Sequence, residues 1–290
     1  MTSNVLSVDV EDYFHVEAFA GVVPRSAWDS FPCRVEPNTR RLLDILDEHG
    51  TRATFFILGW VADRYPGLVR EIVQRGHEPA CHSYWHRLVY SLDREEFRRD
   101  TVRAKECIEQ AAGIAIQGYR APSYSITSRS LWALEILVEA GFTYDSSIFP
   151  VHHDLYGIPG APRAPFRIET PSGALVEYPI STFRWGGQNL PVGGGGYLRM
   201  LPLWYTRFGI RRLRQESVPL IVYLHPWEID PAQPRITASL KSRLRHYTNL
   251  KHMEARLRSV LDIGAPLSTF RHGGLDQTAA FFDLKQKSLA

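Results

Sequence analysis

Two histidines four residues apart, in His82-Ser-Tyr-Trp-His86, carry the plainest chemical signal in this chain. At that spacing two imidazoles lie on one face of a helical turn and can hold one metal ion. A carboxylate cluster, Asp9-Val-Glu-Asp12, closes the first strand-like run. Two imidazoles and one carboxylate leave coordination positions open to water and substrate, which is the pattern of a catalytic metal site. Glu11 and Asp12 both compete for the carboxylate position. If the segment stays extended, side chains two apart share a face, so Asp9 and Glu11 point together and Glu11 is favoured. Asp12 competes if the strand ends at Val10. A helix cap or a solvated turn is the bland use of such acids; it accounts comfortably for one carboxylate and less well for three in four residues.

These residues need rigid elements behind them. Val5 to Val10 reads as a buried strand ending in acids, and Ala53 to Leu58 as a second. Between them Asn38 can cap a helix running to about His49, stopped by Gly50. A helical stretch is expected over 61–75, and a short extended piece from His77 to Cys81. Asp93 with Glu96 forms a capping box opening a helix to about Ala112. Ile114 to Tyr119 is strand-like, and Ser128 opens a helix through Ala140. This alternation, with polar clusters just after strands, implies a parallel α/β architecture. Too few units are present for a full eight-fold barrel, so a distorted or incomplete barrel is expected. FRIETPSGALVEY, from Phe166 to Tyr178, has the chemistry of an inserted β-hairpin. Val218 to Leu224 is the last strong core strand, and Leu240 to Leu261 is basic and helical in pattern. The expected division is a catalytic domain over 1–230 and a helical extension over 231–290, packed on it and ending in a loosely held tail after His272.

Composition narrows the function classes. The chain has 290 residues, 44% apolar and 22% charged, with 34 Lys and Arg against 31 Asp and Glu. That balance gives no reason to expect a nucleic-acid partner. Three cysteines without a CxxC indicate neither a disulfide framework nor a zinc ribbon. No apolar run reaches the roughly 20 residues of a spanning helix. Met1-Thr-Ser-Asn-Val shows no basic start or apolar leader, so the expected location is cytoplasmic, at the inner membrane face if the substrate is membrane-linked. The basic helix near Lys241 to Arg258 could sit on such a surface, though a solvated helix face is the commoner use of such a pattern. Dinucleotide, P-loop and nucleophile-elbow signatures are absent. His77-Glu78 starts like HExxH, but Cys81 stands at the second histidine and Pro79 opposes a helix. Gly193-Gly-Gly-Gly196 lacks the Lys of a phosphate loop and reads as a flexible loop near a site.

Taken in order, these motifs resemble the polysaccharide deacetylases of the NodB-homology type, carbohydrate esterase family four. Asp9-Val-Glu-Asp12 stands where that family has a T-F-D-D motif, and His82-Ser-Tyr-Trp-His86 matches H-[ST]-x-x-H fully. Arg120-Ala-Pro-Ser-Tyr124 is similar to R-x-P-Y, with tyrosine displaced by one. Asp145-Ser-Ser147 is similar to the Asp-x-Ser segment, and Leu224-His225 to the L-x-H motif. The C-terminal part, with WEIDPAQPR, also resembles the subgroup associated with exosortase and exopolysaccharide loci.

The resemblance implies a distorted (β/α) barrel and metal-dependent removal of N-acetyl groups from N-acetylhexosamine units of a polysaccharide. One divalent metal would be held by His82, His86 and Glu11 or Asp12, zinc first, with cobalt, nickel or iron as alternatives. It would polarise the amide carbonyl and lower the pKa of its water from 15.7 toward about 7. Asp9 would be the general base, Arg120 its charged partner, and His225 the acid for the leaving amine. Trp227 could pack beneath a sugar ring, and Tyr124 could line the substrate groove. The implied partner is an N-acetylated polysaccharide or a lipid-linked oligosaccharide. Two rival readings are an amidohydrolase of small cyclic amides on the same scaffold and a non-catalytic carbohydrate-binding protein.

Overall fold

A computed structural model describes residues 4–263, 267–271 and 282–283. The chain alternates strands and helices: β1 Asn4–Val10, α1 Val35–Glu48, β2 Thr54–Ile57, α2 Gly59–Arg64, α3 Pro66–Gln74 and β3 Glu78–Cys81. There follow α4 Arg94–Ala112, β4 Gly118–Tyr119, α5 Trp132–Glu139 and β5 Tyr144–Asp145. The hairpin β6 Phe166–Thr170 and β7 Gly173–Glu177 precedes a second one, β8 Thr182–Trp185 and β9 Gln188–Pro191. The chain then forms α6 Gly195–Met200, α7 Leu203–Gln215, β10 Ile221–Leu224, α8 Leu240–Tyr247, α9 Leu250–Leu261 and β11 Leu267–Ser268.

One sheet runs in the order β10-β1-β2-β3-β4-β5-β7-β6, parallel except for the β6–β7 pair, with β11 parallel to β1. Strands buried on both faces are mostly apolar on both, and β1 keeps to this on one face while the other carries Ser7 and Asp9 beside Val5. Leu6, Val8 and Val10 join the core beneath the helices. Val5 joins an inner cluster with Phe56, Ala80, Tyr144, Ile221 and Tyr223. Asp9, two residues past Ser7, shares the face of Val5. The sheet's parity therefore turns Asp9 to the inside of the curved sheet.

Among the described residues no ladder joins β7 to β10. Less regular bonds span that seam. Ile221 N donates to Ser181 Oγ at 2.7 Å, and Tyr223 N to Gly193 O at 2.8 Å. The expected incomplete, distorted barrel thus has its distortion at residues 178–193. A Cβ on Gly193 would run into the Ile221 carbonyl, and one on Gly195 into the Glu228 carboxylate. The glycine run is therefore a close-packed crossing, where a flexible loop was expected.

Several boundaries differ from expectation for identifiable reasons. Helix α1 starts at Val35, and Asn38 lies inside it with its amide on Asp230, 3.2 Å away. The stretch over 61–75 is two helices, because Pro66 starts a new one. Helix α5 begins at Trp132 rather than Ser128, since Thr127 and Ser130 close a turn on each other first. Leu240 to Leu261 is likewise two helices, broken at Asn249 with φ 59°. In the segment after residue 230, α9 packs on α6 and on the turn at Pro226–Ile229, and Arg34 pairs with Asp230 at 2.8 Å. The tail expected after His272 lies outside the described residues, apart from 282–283.

Candidate metal centre and active site

Parallel strands place their carboxyl ends along one rim, and ligands bind there in folds of this class. Asp9 ends β1 and Glu11 follows it; His82 follows β3, Arg120 follows β4 and His225 follows β10. Strands β10, β1, β2, β3 and β4 are neighbours, so residues more than 200 positions apart meet.

Glu11, His82 and His86 each offer a ligand atom, all within 4.8 Å of one another, and all three residues are buried. The His82–His86 segment is not the helical turn expected from its spacing. Ser83 and His86 are in the left-handed region, φ 62° and 49°, which folds the loop back on itself. The carboxylate of Asp100 on α4 holds this loop by accepting the backbone N–H groups of Tyr84 and Trp85 at 2.8 and 3.3 Å. His82 Nδ1 donates to the Arg120 carbonyl at 2.8 Å, which leaves Nε2 as the free ligand atom. Glu11 Oε2 lies 2.7 Å from His86 Nε2, yet no donor is aligned on that buried oxygen. A cation fits the need of two lone pairs facing each other. Burial pushes the Glu11 carboxyl up, but His86, His225 and His82 outweigh it and hold it well below the usual range. Trp227 Nε1 donates to Glu11 Oε1 at 3.3 Å.

Asp12 is turned elsewhere. Its Oδ2 accepts the backbone N–H groups of Arg34 and Val35, at 2.6 and 2.8 Å, and its Oδ1 accepts that of Tyr13 at 2.9 Å. It caps α1 from 22 residues away, which is why that helix needs no local cap. Burial lifts its pKa to about 6 against those three donors. Of the two competing carboxylates, only Glu11 is in the cluster.

Beside the cluster stands a second set of charges. Arg120, wholly buried, donates to Asp9 Oδ1 at 2.7 Å, to Ser7 Oγ at 2.8 Å and to Ser146 at 2.9 and 3.0 Å. Its guanidinium also lies over the Phe56 ring at 4.0 Å. Asp9 Oδ2 is left facing His225 Nε2, 3.9 Å away. The other ring nitrogen of His225 meets Glu228 Oε2 at 3.1 Å, and Glu228 Oε1 pairs with the buried Arg199 at 2.9 Å. Burial alone would lower the His225 pKa, but Glu11, Glu228 and Asp9 together raise it to about 9. Glu228 is held near 2 by His225 and Arg199 despite its own burial. Neither Glu228 nor Arg199 was given a role from sequence. The available signal was an acid three residues after His225, the spacing by which a side chain caps its own turn.

Asp9, Glu11, His82, His86 and His225 line a cleft of about 500 Å³ with Tyr124, Tyr156, Tyr197 and Tyr223. Tyr124 lines it with its ring tilted against that of Tyr223, centroids 4.9 Å apart. Trp227 is 5% exposed and stacks with His246 at 4.0 Å and His225 at 5.1 Å. That burial leaves little ring for a sugar, so its visible work is to hold Glu11 and His225.

Residues 26–144 match the polysaccharide deacetylase family, and residues 146–278 match a domain of unknown function, DUF3473. The chain thus carries a polysaccharide deacetylase segment over residues 26–144. The site is composite: His82, His86 and Arg120 come from the first matched segment, Asp9 and Glu11 precede it, and His225, Trp227 and Glu228 come from the second. A peptidoglycan-N-acetylglucosamine deacetylase from Bacillus cereus is 34% identical over 98 residues, 33% of this chain and 36% of its own length. A chitooligosaccharide deacetylase from Sinorhizobium fredii is 34% identical over 119 residues, 40% of this chain and 55% of its own length. The chain thus spans about a third to a half of these relatives. A polysaccharide deacetylase fold solved from Mycobacterium smegmatis superposes with a TM-score of 0.65 at 20% identity, covering 98% of this chain and 94% of that one.

Proposed function

We propose that this chain hydrolyses N-acetyl groups on N-acetylhexosamine units of a polysaccharide or lipid-linked oligosaccharide, using one divalent metal. The observation that carries this reading is the convergence on one cleft of Glu11, His82 and His86 with His225 and with Asp9, which Arg120 holds from behind. A donor set of two imidazoles and one carboxylate suits zinc. Held there, the ion would polarise an amide carbonyl and acidify a water at neutral pH.

The remaining work belongs to the chain. Arg120 fills Asp9 Oδ1, so only Oδ2 faces the cleft and can accept the proton of the attacking water. Glu228 accepts a hydrogen bond from His225 Nδ1–H, which aims Nε2 at the cleft. A histidine with a pKa of about 9 carries a proton on both nitrogens at neutral pH. The Nε2 proton is then available to the amine as the C–N bond breaks, giving acetate and a free amino sugar. The test is acetate release from a panel of N-acetylated glycans, with metal analysis of the same sample. Metal-replete protein that binds oligosaccharide without releasing acetate, or that cleaves only cyclic amides, would overturn the reading.

A further inference from the structure

Among the described residues seven large apolar side chains are exposed, and five of them lie between residues 185 and 244: Trp185, Met200, Trp204, Leu240 and Leu244. Their spacing is not scattered. On α7, Trp204, Arg207, Phe208 and Arg211 fall at i, i+3, i+4 and i+7, one helix face, while Thr206, Gly209, Ile210 and Leu213 are buried on the other. Trp185, 58% exposed, sits edge-on to Phe208 at 5.4 Å and extends this ridge. Trp204 is 69% exposed. On α8, Leu240 and Leu244 repeat the pattern at i, i+4, with Lys241, Arg243 and Arg245 exposed around them and only His246 buried. Helix α6 joins the two, because Arg199 donates to the carbonyls of Arg245 and Thr248, and α7 follows α6 after two residues.

The charge of this region is as lopsided as its exposure. Residues 199–258 hold twelve Lys and Arg against four Asp and Glu, whereas the rest of the chain holds 22 against 27. Helix α8 contains no acid at all. Trp and Leu flanked by Lys and Arg match one medium well. The rings and leucines enter the headgroup boundary, and the long cations reach anionic phosphates. No described helix is long and apolar enough to cross a membrane.

We infer that the exposed faces of α7 and α8 dock this protein on an anionic bilayer surface. Met200 and Arg245 belong both to this region and to the cleft lining, so docking brings the cleft mouth to the membrane. The inference stands on surface residues outside the cleft and does not need the reaction proposed above.

The experiment is co-sedimentation of the full chain with vesicles of equimolar phosphatidylglycerol and phosphatidylcholine, beside pure phosphatidylcholine. Wild type should pellet with the anionic vesicles, and much less when salt shrinks the Debye length from about 10 Å to about 3 Å. Trp204→Ser and the double variant Leu240→Ser/Leu244→Ser should each weaken partitioning by about tenfold per truncated side chain. Acetate release from a soluble chitooligosaccharide should stay unchanged in these variants, which separates docking from catalysis. Equal sedimentation of wild type and variants would overturn the inference. So would a lipid-independent dimer, seen by light scattering and abolished by the same substitutions, which would assign the face to a second copy of the chain.

Discussion

The rim of the sheet carries buried acids at two places, and the two meet burial in opposite ways. At the ends of β1, β3, β4 and β10, each acid apart from the helix cap Asp12 has a cation or an imidazole against it: Asp9 has Arg120, Glu11 has His86 and His225, and Glu228 has Arg199. At β5 and β7, Asp145 and Glu177 are register partners, both wholly buried and hydrogen-bonded to each other, with no cation between them. Their donors are neutral, Ser147 Oγ to Asp145 and the Ile148 N–H to Glu177. Burial pushes Asp145 up to about 6, and burial with Asp145 beside it pushes Glu177 well above the carboxylate range. Two such acids share a proton rather than carry two charges. Compensated acids can work on a substrate, whereas the proton-sharing pair ties two strands together.

The comparison breaks first at the cluster. His82→Ala should abolish metal binding and activity together, because it removes one of the three ligand atoms found among the described residues. Metal content by elemental analysis, set beside acetate release, checks this; full occupancy in the variant would take His82 out of the coordination shell. His225→Ala should keep its metal and lose about 10² to 10⁴-fold in amide cleavage. The loss should shrink on an aryl acetate whose leaving phenolate needs no proton. An equal loss on both substrates would mean that His225 does not act as the acid.

Much of this site was legible because chemistry-bearing residues sit at strand ends, and strand ends announce themselves by a change from apolar to polar. Val5–Val10 running into Asp9 and Glu11, and the period-two argument for Glu11 over Asp12, needed only the pleat. The capping box at Asp93 and Glu96 and the β6–β7 hairpin were equally local and were found. What escaped is what long-range contacts decide. The cap of α1 comes from Asp12, so Asn38 looked like the start. The shape of the His82–His86 loop depends on Asp100, sixteen residues on, and on two left-handed residues that spacing cannot show. Trp227 read equally as a sugar platform and as a core ring, because nothing in its neighbourhood names His246, its stacking partner.

A smaller effect sharpens the split between adjacent acids. Asp12→Ala should cost about 1 to 2 kcal/mol, the loss expected when a helix cap is removed. Its metal content should match wild type, whereas Glu11→Gln should weaken the metal and recover part of its activity in excess metal. Denaturant melts and metal analysis of the two variants decide the matter. A folded Asp12→Ala protein without metal would give the ligand role to Asp12.

The last effect lies in the proton-sharing pair, and it depends on pH. An acid whose folded pKa is raised binds a proton in the fold that the unfolded chain has already released. Stability therefore falls as pH rises above the ordinary carboxylate value, for Asp145 from 3.8 toward about 6 and for Glu177 to higher pH. Each pH unit crossed in this way costs at most about 1.4 kcal/mol for each proton held only in the fold. Glu177→Gln cannot ionise, and its amide can donate to Asp145 in place of the shared proton. The melting temperature of the variant relative to wild type should climb as pH is raised from about 5 to about 9. A constant difference across that range would mean that the two carboxyls do not share a proton. The contrast with the compensated acids of β1 would then rest on geometry alone.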